Sequence, residues 1–84
     1  MSIVFYGYTS AALEEPKPNP LQLCEVTLSA SPSELRSIAK FIIRAAEEME
    51  KFGTDWEHEH LADHEQGFDE SPSFVIFNSA LEQS

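Results

Sequence analysis

The sequence predicts a two-layer α+β fold, in which one amphipathic helix packs on a four-stranded, mainly antiparallel sheet in the order ββαββ. Residues 32–52 carry apolar side chains at steps of three and four, which is the periodicity of a helix with one buried face. Runs rich in β-branched and aromatic residues stand on both sides of this helix and have the composition of strands. With 84 residues and 42% hydrophobic content, residues 1–84 are expected to form a single domain with one modest core.

The first part of the chain supplies two of the predicted strands. Residues 2–9 are rich in β-branched and aromatic side chains and form the first. Residues 10–20 contain three prolines and are expected to be a stiff, exposed loop. In residues 21–30 apolar side chains alternate with polar ones, which is the pattern of a strand with one face in water. Cys24, the only cysteine, lies on the apolar side and is expected to be a buried thiol.

The helix has a recognisable signal at each end. Ser31 is placed to cap the N-terminus, Pro32 suits the first turn, and Glu34 stands at the spacing of a capping box. Gly53 is placed to end the helix with a positive φ angle. The predicted buried face consists of the side chains that recur at helical spacing: Leu35, Ile38, Ala39, Ile42, Ala45, Ala46 and Met49.

The chain after the helix is predicted to form a hairpin. Residues 56–61 alternate as a strand would, although a helix there would instead place two histidines on one face. Gly67 and residues 69–72 supply a turn, which favours the strand. The apolar residues 73–78 form the last strand, and the polar tail, residues 79–84, is expected to fray.

The charge of the chain restricts what it can bind. Fifteen Asp and Glu against five Lys and Arg give a formal net charge of −10. This argues against nucleic acid and anionic membranes, which require a positive surface. It favours fast association with a basic protein partner or cation binding, and the alternative is that the charge serves solubility alone. The N-terminus lacks the features of a secretion signal, and no apolar run is long enough to cross a membrane, so a cytoplasmic location is expected.

The three histidines lie close together in the sequence and raise the possibility of a metal site. His58, His60 and His64 are accompanied by carboxylates, and imidazole and carboxylate groups are suitable zinc ligands. The alternative is a polar hairpin whose histidines bind neighbouring carboxylates. The sequence contains no GxGxxG, P-loop or GxSxG motif, so we predict a protein that is not an enzyme and carries no cofactor.

Two aromatic residues stand among acids and have two interpretations. Trp56 lies between Asp55 and Glu57, and Phe68 precedes Asp69. Each is either a core residue or an exposed apolar anchor inside an acidic rim, which is the composition of a binding hot spot.

Three segments together carry a family resemblance: ELRSIAKFIIRAAEEM in the helix, EHEHLADHE after it and SPSFVIFN near the end. Over residues 24–78 the chain resembles small α+β immunity proteins of bacterial polymorphic toxin systems, and the loop at residues 10–20 has no counterpart. The resemblance implies an intracellular protein that binds a toxin and blocks its active site or substrate surface. It supplies no catalytic residues.

An acidic protein suits such a role, because toxins that act on nucleic acid carry basic surfaces. The predicted partner-binding surface combines an apolar anchor with acids: Trp56 or Phe68 with Glu57, Glu59, Asp63, Glu65, Asp69 and Glu70. A small metal-binding protein that uses the three histidines is the first alternative. An adaptor or homodimer that uses the open face of the sheet is the second.

Overall fold

A computed structural model describes residues 3–82 of the chain. The elements, in order, are β1 (Phe5–Gly7), the short helix α1 (Ser10–Leu13), β2 (Leu21–Leu23), the long helix α2 (Pro32–Phe52), β3 (His58–His60) and β4 (Val75–Phe77), with 3-10 turns at Gly53–Asp55, Leu61–Asp63 and Ser79–Glu82. The α+β class and the order of the strands and the long helix agree with the sequence prediction. Residues 2, 83 and 84, which belong to the predicted first strand and tail, lie outside the described residues.

The expected four-stranded sheet is not formed. Within residues 3–82 the strands make two separate antiparallel pairs, β1 with β2 and β3 with β4. Each strand is only three residues long, and residues 24–30, predicted to continue the second strand, belong to no strand or helix. Alternation of apolar and polar residues specifies which way side chains point, but it does not supply the neighbouring strand that makes a sheet. Residues 56–61 contain a strand at His58–His60, as favoured.

Helix α2 has the predicted bounds and caps. The Ser31 hydroxyl accepts a hydrogen bond from the Glu34 amide at 3.2 Å, and the Glu34 carboxylate accepts one from the Ser31 amide at 2.7 Å, which completes a capping box. Gly53 ends the helix with φ 59° and donates its N–H to the carbonyl of Met49. A positive φ is costly for any residue with a Cβ, so glycine is required here.

The core lies between α2 and the β3–β4 hairpin. Phe41, with 1% of its surface exposed, packs with Ile38 from the helix and with Leu61 and Phe68 from the chain between β3 and β4. Phe74 and Ile76 pack against this cluster. The buried side of the helix is therefore centred on Phe41, which is not among the seven residues of the predicted buried face.

The rest of the predicted helix face is uncovered. Leu35 and Ile42 are 44% and 42% exposed, and Ala39 and Ala46 are exposed beside them. We call these four residues the helix stripe. Of the seven predicted core residues, Ile38 and Ala45 are buried and Met49 is half-buried, so only one side of the broad apolar face finds a partner within residues 3–82.

The N-terminal hairpin, defined here as residues 5–23, buries little of its apolar surface. The register pairs Phe5 with Leu23 and Gly7 with Leu21. Several large apolar side chains in and around it are exposed: Ile3, Val4, Phe5, Tyr6, Tyr8, Leu13 and Leu21. Its connection, predicted as a loop, contains the single helical turn α1, whose N-cap Thr9 accepts a hydrogen bond from the Ala12 amide.

The predictions for residues 24–30 need correction. Cys24 is exposed, as are Val26 and Leu28, because no element covers the apolar side of this segment. The tail, expected to fray, forms a 3-10 turn at Ser79–Glu82 that begins with hydrogen bonds to Asn78. No helix within residues 3–82 has the length and apolar character needed to span a membrane.

Removing the helix cap should weaken the fold. The change Ser31→Ala deletes the hydroxyl that satisfies the Glu34 amide, and we expect the free energy of unfolding to fall by about 1 kcal/mol. Urea denaturation measures this. The control is Ser29→Ala, an exposed serine outside the helix, which should change the free energy by less than about 0.5 kcal/mol. Equal losses in the two variants would contradict the capping role.

The capping box should also give a pH dependence. The pKa of Glu34 lies below its ordinary value, firstly because the carboxylate accepts a hydrogen bond from the Ser31 backbone and secondly because of the Ser31 side chain. A pKa lowered by folding contributes stability above the unfolded-state pKa and loses it as the pH falls through the folded-state pKa. The difference in Tm between the native protein and Glu34→Gln should thus be largest at neutral pH and shrink below about pH 4. A difference that is the same at pH 7 and pH 3 would rule this out.

Candidate functional site

Acidic and basic residues are distributed unevenly along the chain. Four of the five Lys and Arg residues lie on α2, which carries an equal number of acids. Residues 53–78, called here the C-terminal lobe, contain no Lys or Arg and seven acids: Asp55, Glu57, Glu59, Asp63, Glu65, Asp69 and Glu70. The negative charge is therefore concentrated on the part of the chain that packs against the buried side of the helix.

The β3–β4 hairpin presents two different faces. Cross-strand partners lie on the same face of a sheet, and the register pairs His58 with Phe77, Glu59 with Ile76 and His60 with Val75. Ile76 packs on the core, so Glu59 shares the inner face. The other face, called the outer face, therefore carries His58, His60, Val75 and Phe77. Val75 and Phe77 are 41% and 46% exposed.

The three histidines do not converge on one point. The rings of His58 and His60 meet edge to face, with centroids 5.5 Å apart, on the outer face. His64 instead lies beside the Phe41 ring, at a centroid distance of 5.9 Å, and contacts the Glu59 carboxylate. Among residues 3–82, no three His, Cys, Asp or Glu side chains are grouped so as to hold a metal ion. The three-histidine ligand set of the metal-binding alternative is not assembled.

The predicted acids divide into exposed and partnered groups. Glu57, Asp63, Asp69 and Glu70 are exposed, and the Glu57 carboxylate lies 2.9 Å from Nδ1 of His58. Glu59 and Glu65 are half-buried, Glu59 against His64 and Glu65 against Arg44, whose Nη2 lies 4.0 Å from Oε2 of Glu65. The four exposed acids are available to a partner. Glu59 joins β3 to the loop through His64, and Glu65 joins the loop to α2 through Arg44.

Trp56 and Phe68 are core residues. Their exposed fractions are 6% and 8%, so neither is an exposed anchor in this structure. Phe68 packs in the cluster around Phe41, and Trp56 donates its indole N–H to the Glu48 carboxylate of α2 at 3.1 Å. The sequence left open whether each ring is a core residue or an exposed anchor, and the structure buries both. Phe77 and Val75 are the apolar side chains exposed in their place.

Asn78 is a positioning residue that sequence reasoning missed. It is 4% exposed, and its Nδ2 donates to the carbonyls of Gly53 and Trp56 at 3.1 and 3.0 Å. Its backbone N–H donates to the carbonyl of Glu57 at 2.8 Å. The residue after β4 thus joins the end of α2 to the start of β3. An Asn that directly follows an apolar run was the available signal, because a buried amide must find partners.

A cavity of about 80 Å³ lies beneath the loop between β3 and β4, among His60, Leu61, Phe68 and Phe74. Small-molecule sites usually occupy about 300–1,000 Å³. This cavity is a gap under the loop that is too small for a substrate, and the open surfaces of the lobe are better suited to contact another protein.

Comparison with known proteins identifies the class of this protein: the chain is an immunity protein of toxin systems. It belongs to the Immunity protein 32 family, whose model matches residues 25–80. That range contains α2, both strands of the C-terminal lobe and all six acids of the predicted surface. It confirms the resemblance drawn from the sequence, and the N-terminal hairpin lies outside it. No curated protein and no solved structure matches the chain.

The contacts of Asn78 can be tested by mutation. Asn78→Ala leaves one buried and one partly buried carbonyl without their donor, and we expect the free energy of unfolding to fall by about 2–3 kcal/mol. Asn78→Asp keeps the acceptor for the Ala80 amide but loses both donors, so it should be nearly as damaging. Chemical denaturation measures both. The exposed neighbour provides the control, Ser79→Ala, and a similar loss there would count against the assigned role.

Proposed function

We propose that this protein neutralises a bacterial toxin by covering a basic surface of the toxin with its C-terminal lobe. The family supports the immunity role, and the charge distribution supports the surface. The proposed binding surface rests mainly on one observation: residues 53–78 contain seven acids and no Lys or Arg. An immunity protein with this lobe acts by binding and not by catalysis, in the cytoplasm of the bacterium that makes the toxin.

The acids give the interaction its speed and orientation. Glu57, Asp63, Asp69 and Glu70 are exposed on the lobe. Their combined field attracts a basic partner at long range and aligns it before contact, which raises the association rate at low salt. A toxin that acts on nucleic acid carries a basic substrate surface, so the immunity protein competes with the substrate for the same charges.

The outer face supplies the apolar contact that retains the partner. Phe77 and Val75 are exposed there beside His58 and His60. Aromatic side chains surrounded by polar groups are typical of the centre of an interface, where water is excluded on binding. The edge-to-face histidine pair offers π faces on which an Arg of the partner stacks. In this proposal Phe77 takes the place that the sequence interpretation gave to Trp56 or Phe68.

Reversing charges on the lobe should slow association. The triple variant Asp63→Lys, Asp69→Lys, Glu70→Lys changes three exposed acids, and the cognate toxin domain is the probe. We expect the association rate to fall at least tenfold at low salt and its salt dependence to weaken. Stopped-flow binding and rescue of growth from the toxin are the two measurements.

The control makes the same charge change elsewhere: Glu14→Lys, Glu15→Lys, Glu25→Lys, three exposed acids outside the C-terminal lobe. It should slow association much less than the lobe variant. Phe77→Ala should raise the dissociation rate and leave the salt dependence unchanged, because it removes an apolar contact only. If the two triple variants slowed association equally, the C-terminal lobe would be ruled out as the binding surface. Failure of the native chain to bind and to protect cells would discard the proposed function.

A further inference from the structure

Two of the uncovered apolar surfaces within residues 3–82 lie outside the C-terminal lobe. The first is the helix stripe, where Leu35 and Ile42 are 44% and 42% exposed. The second is the N-terminal hairpin together with the residues just before it, where Ile3 is 77% exposed and Tyr6 52%. Monomeric proteins rarely leave apolar patches of more than a few hundred Å² in contact with water.

The hairpin and the long helix share few contacts. The strands of the hairpin pair chiefly with each other, and none of residues 3–31 belongs to the buried cluster around Phe41 or to the side chains packed against it. The radius of gyration of 13.8 Å exceeds the ~12 Å expected for a compact chain of this length. The hairpin is thus a unit attached to the body of the protein through residues 24–31.

We infer that two copies of this chain associate, with the N-terminal hairpin of each copy placed on the helix stripe of the other. Each copy carries one hairpin and one stripe, so two copies related by a twofold axis cover all four surfaces and leave none to extend a polymer. Residues 24–31 belong to no helix or strand, and eight residues at about 3.3 Å each can span at most roughly 26 Å. This connection is long enough for a hairpin to reach a neighbouring helix.

The distribution of charge selects a second copy as the occupant. A basic partner is drawn to the C-terminal lobe, which holds seven acids and no Lys or Arg. By contrast, α2 carries equal numbers of acidic and basic residues, and residues 3–31 carry three acids and one lysine. Two chains of net charge −10 can approach closely only through nearly neutral surfaces. The hairpin and the stripe are such surfaces, and their association keeps the two lobes apart.

The small core gives a further reason for association. The buried cluster consists of Ile38, Phe41, Leu61 and Phe68. A chain of this size buries a modest fraction of its surface, and small folds are commonly completed by oligomerisation. Burial of the stripe and the hairpin in a dimer adds apolar contacts that residues 3–82 of one copy do not provide.

Sedimentation equilibrium on the full chain tests the proposal. The native protein should sediment as a dimer of 9.4 kDa chains at micromolar concentration. Ile42→Glu places a charge on the helix stripe and should weaken dimerisation about 100-fold or more. The matched control is Phe52→Glu, on a second large apolar residue of the same helix, which is 50% exposed and lies at its C-terminal end, outside the stripe. It should change the dimer dissociation constant by no more than about twofold, and circular dichroism should show that both variants are folded.

Cross-linking identifies which surfaces meet. A photoreactive phenylalanine derivative replaces Ile42 in chains of natural isotope content, which are mixed with ¹⁵N-labelled chains that carry the same change. Mass spectrometry should find cross-links between differently labelled chains, joining position 42 to residues 5–23. Cross-links confined to equally labelled chains would show that each hairpin covers its own helix and would overturn the inference. A monomeric native protein, or a dimer lost on Phe77→Asp but not on Ile42→Glu, would overturn it as well.

Discussion

The burial of Phe41 between α2 and the C-terminal lobe is the contact on which the rest of the described structure depends. This side chain is almost completely buried, and it touches both the hairpin and the loop through Leu61, Phe68 and Phe74. An aromatic ring of this size contributes more apolar burial than any other residue of the cluster. Because the strands of the lobe are only three residues long, they hold their position chiefly through this packing and through the amide of Asn78.

The packing around Phe41 determines which side chains of the C-terminal lobe face outward. With Ile76 and Glu59 turned toward the helix, the alternation of the strands places His58, His60, Val75 and Phe77 on the outer face. Acids at the ends and in the loop of the hairpin remain in water. A rigid apolar centre with a negative surround is the arrangement expected for recognition of a basic protein. The immunity family of this chain and the geometry of its lobe therefore support the same mode of action.

The chain also divides its tasks along its length. The C-terminal lobe has the negative charge, while the N-terminal hairpin and the helix stripe have most of the uncovered apolar surface. In the proposed arrangement the C-terminal lobe binds the toxin, and the N-terminal hairpin and the helix stripe join two copies. One dimer then presents two lobes for binding. The family match begins at residue 25, so the hairpin lies outside the matched part of the chain.

Local chemistry in the sequence was enough to place the long helix, its caps and its final glycine, because the groups involved lie within three or four residues of one another. It was also enough to find the acids and the strand of alternating histidines, and to recognise the family. Long-range packing settled the rest: that the strands form two pairs and not one sheet, that Trp56 and Phe68 face inward, and that Cys24 faces water. An apolar pattern states that a face avoids water, whereas the identity of the surface that covers it depends on contacts between residues far apart in the chain.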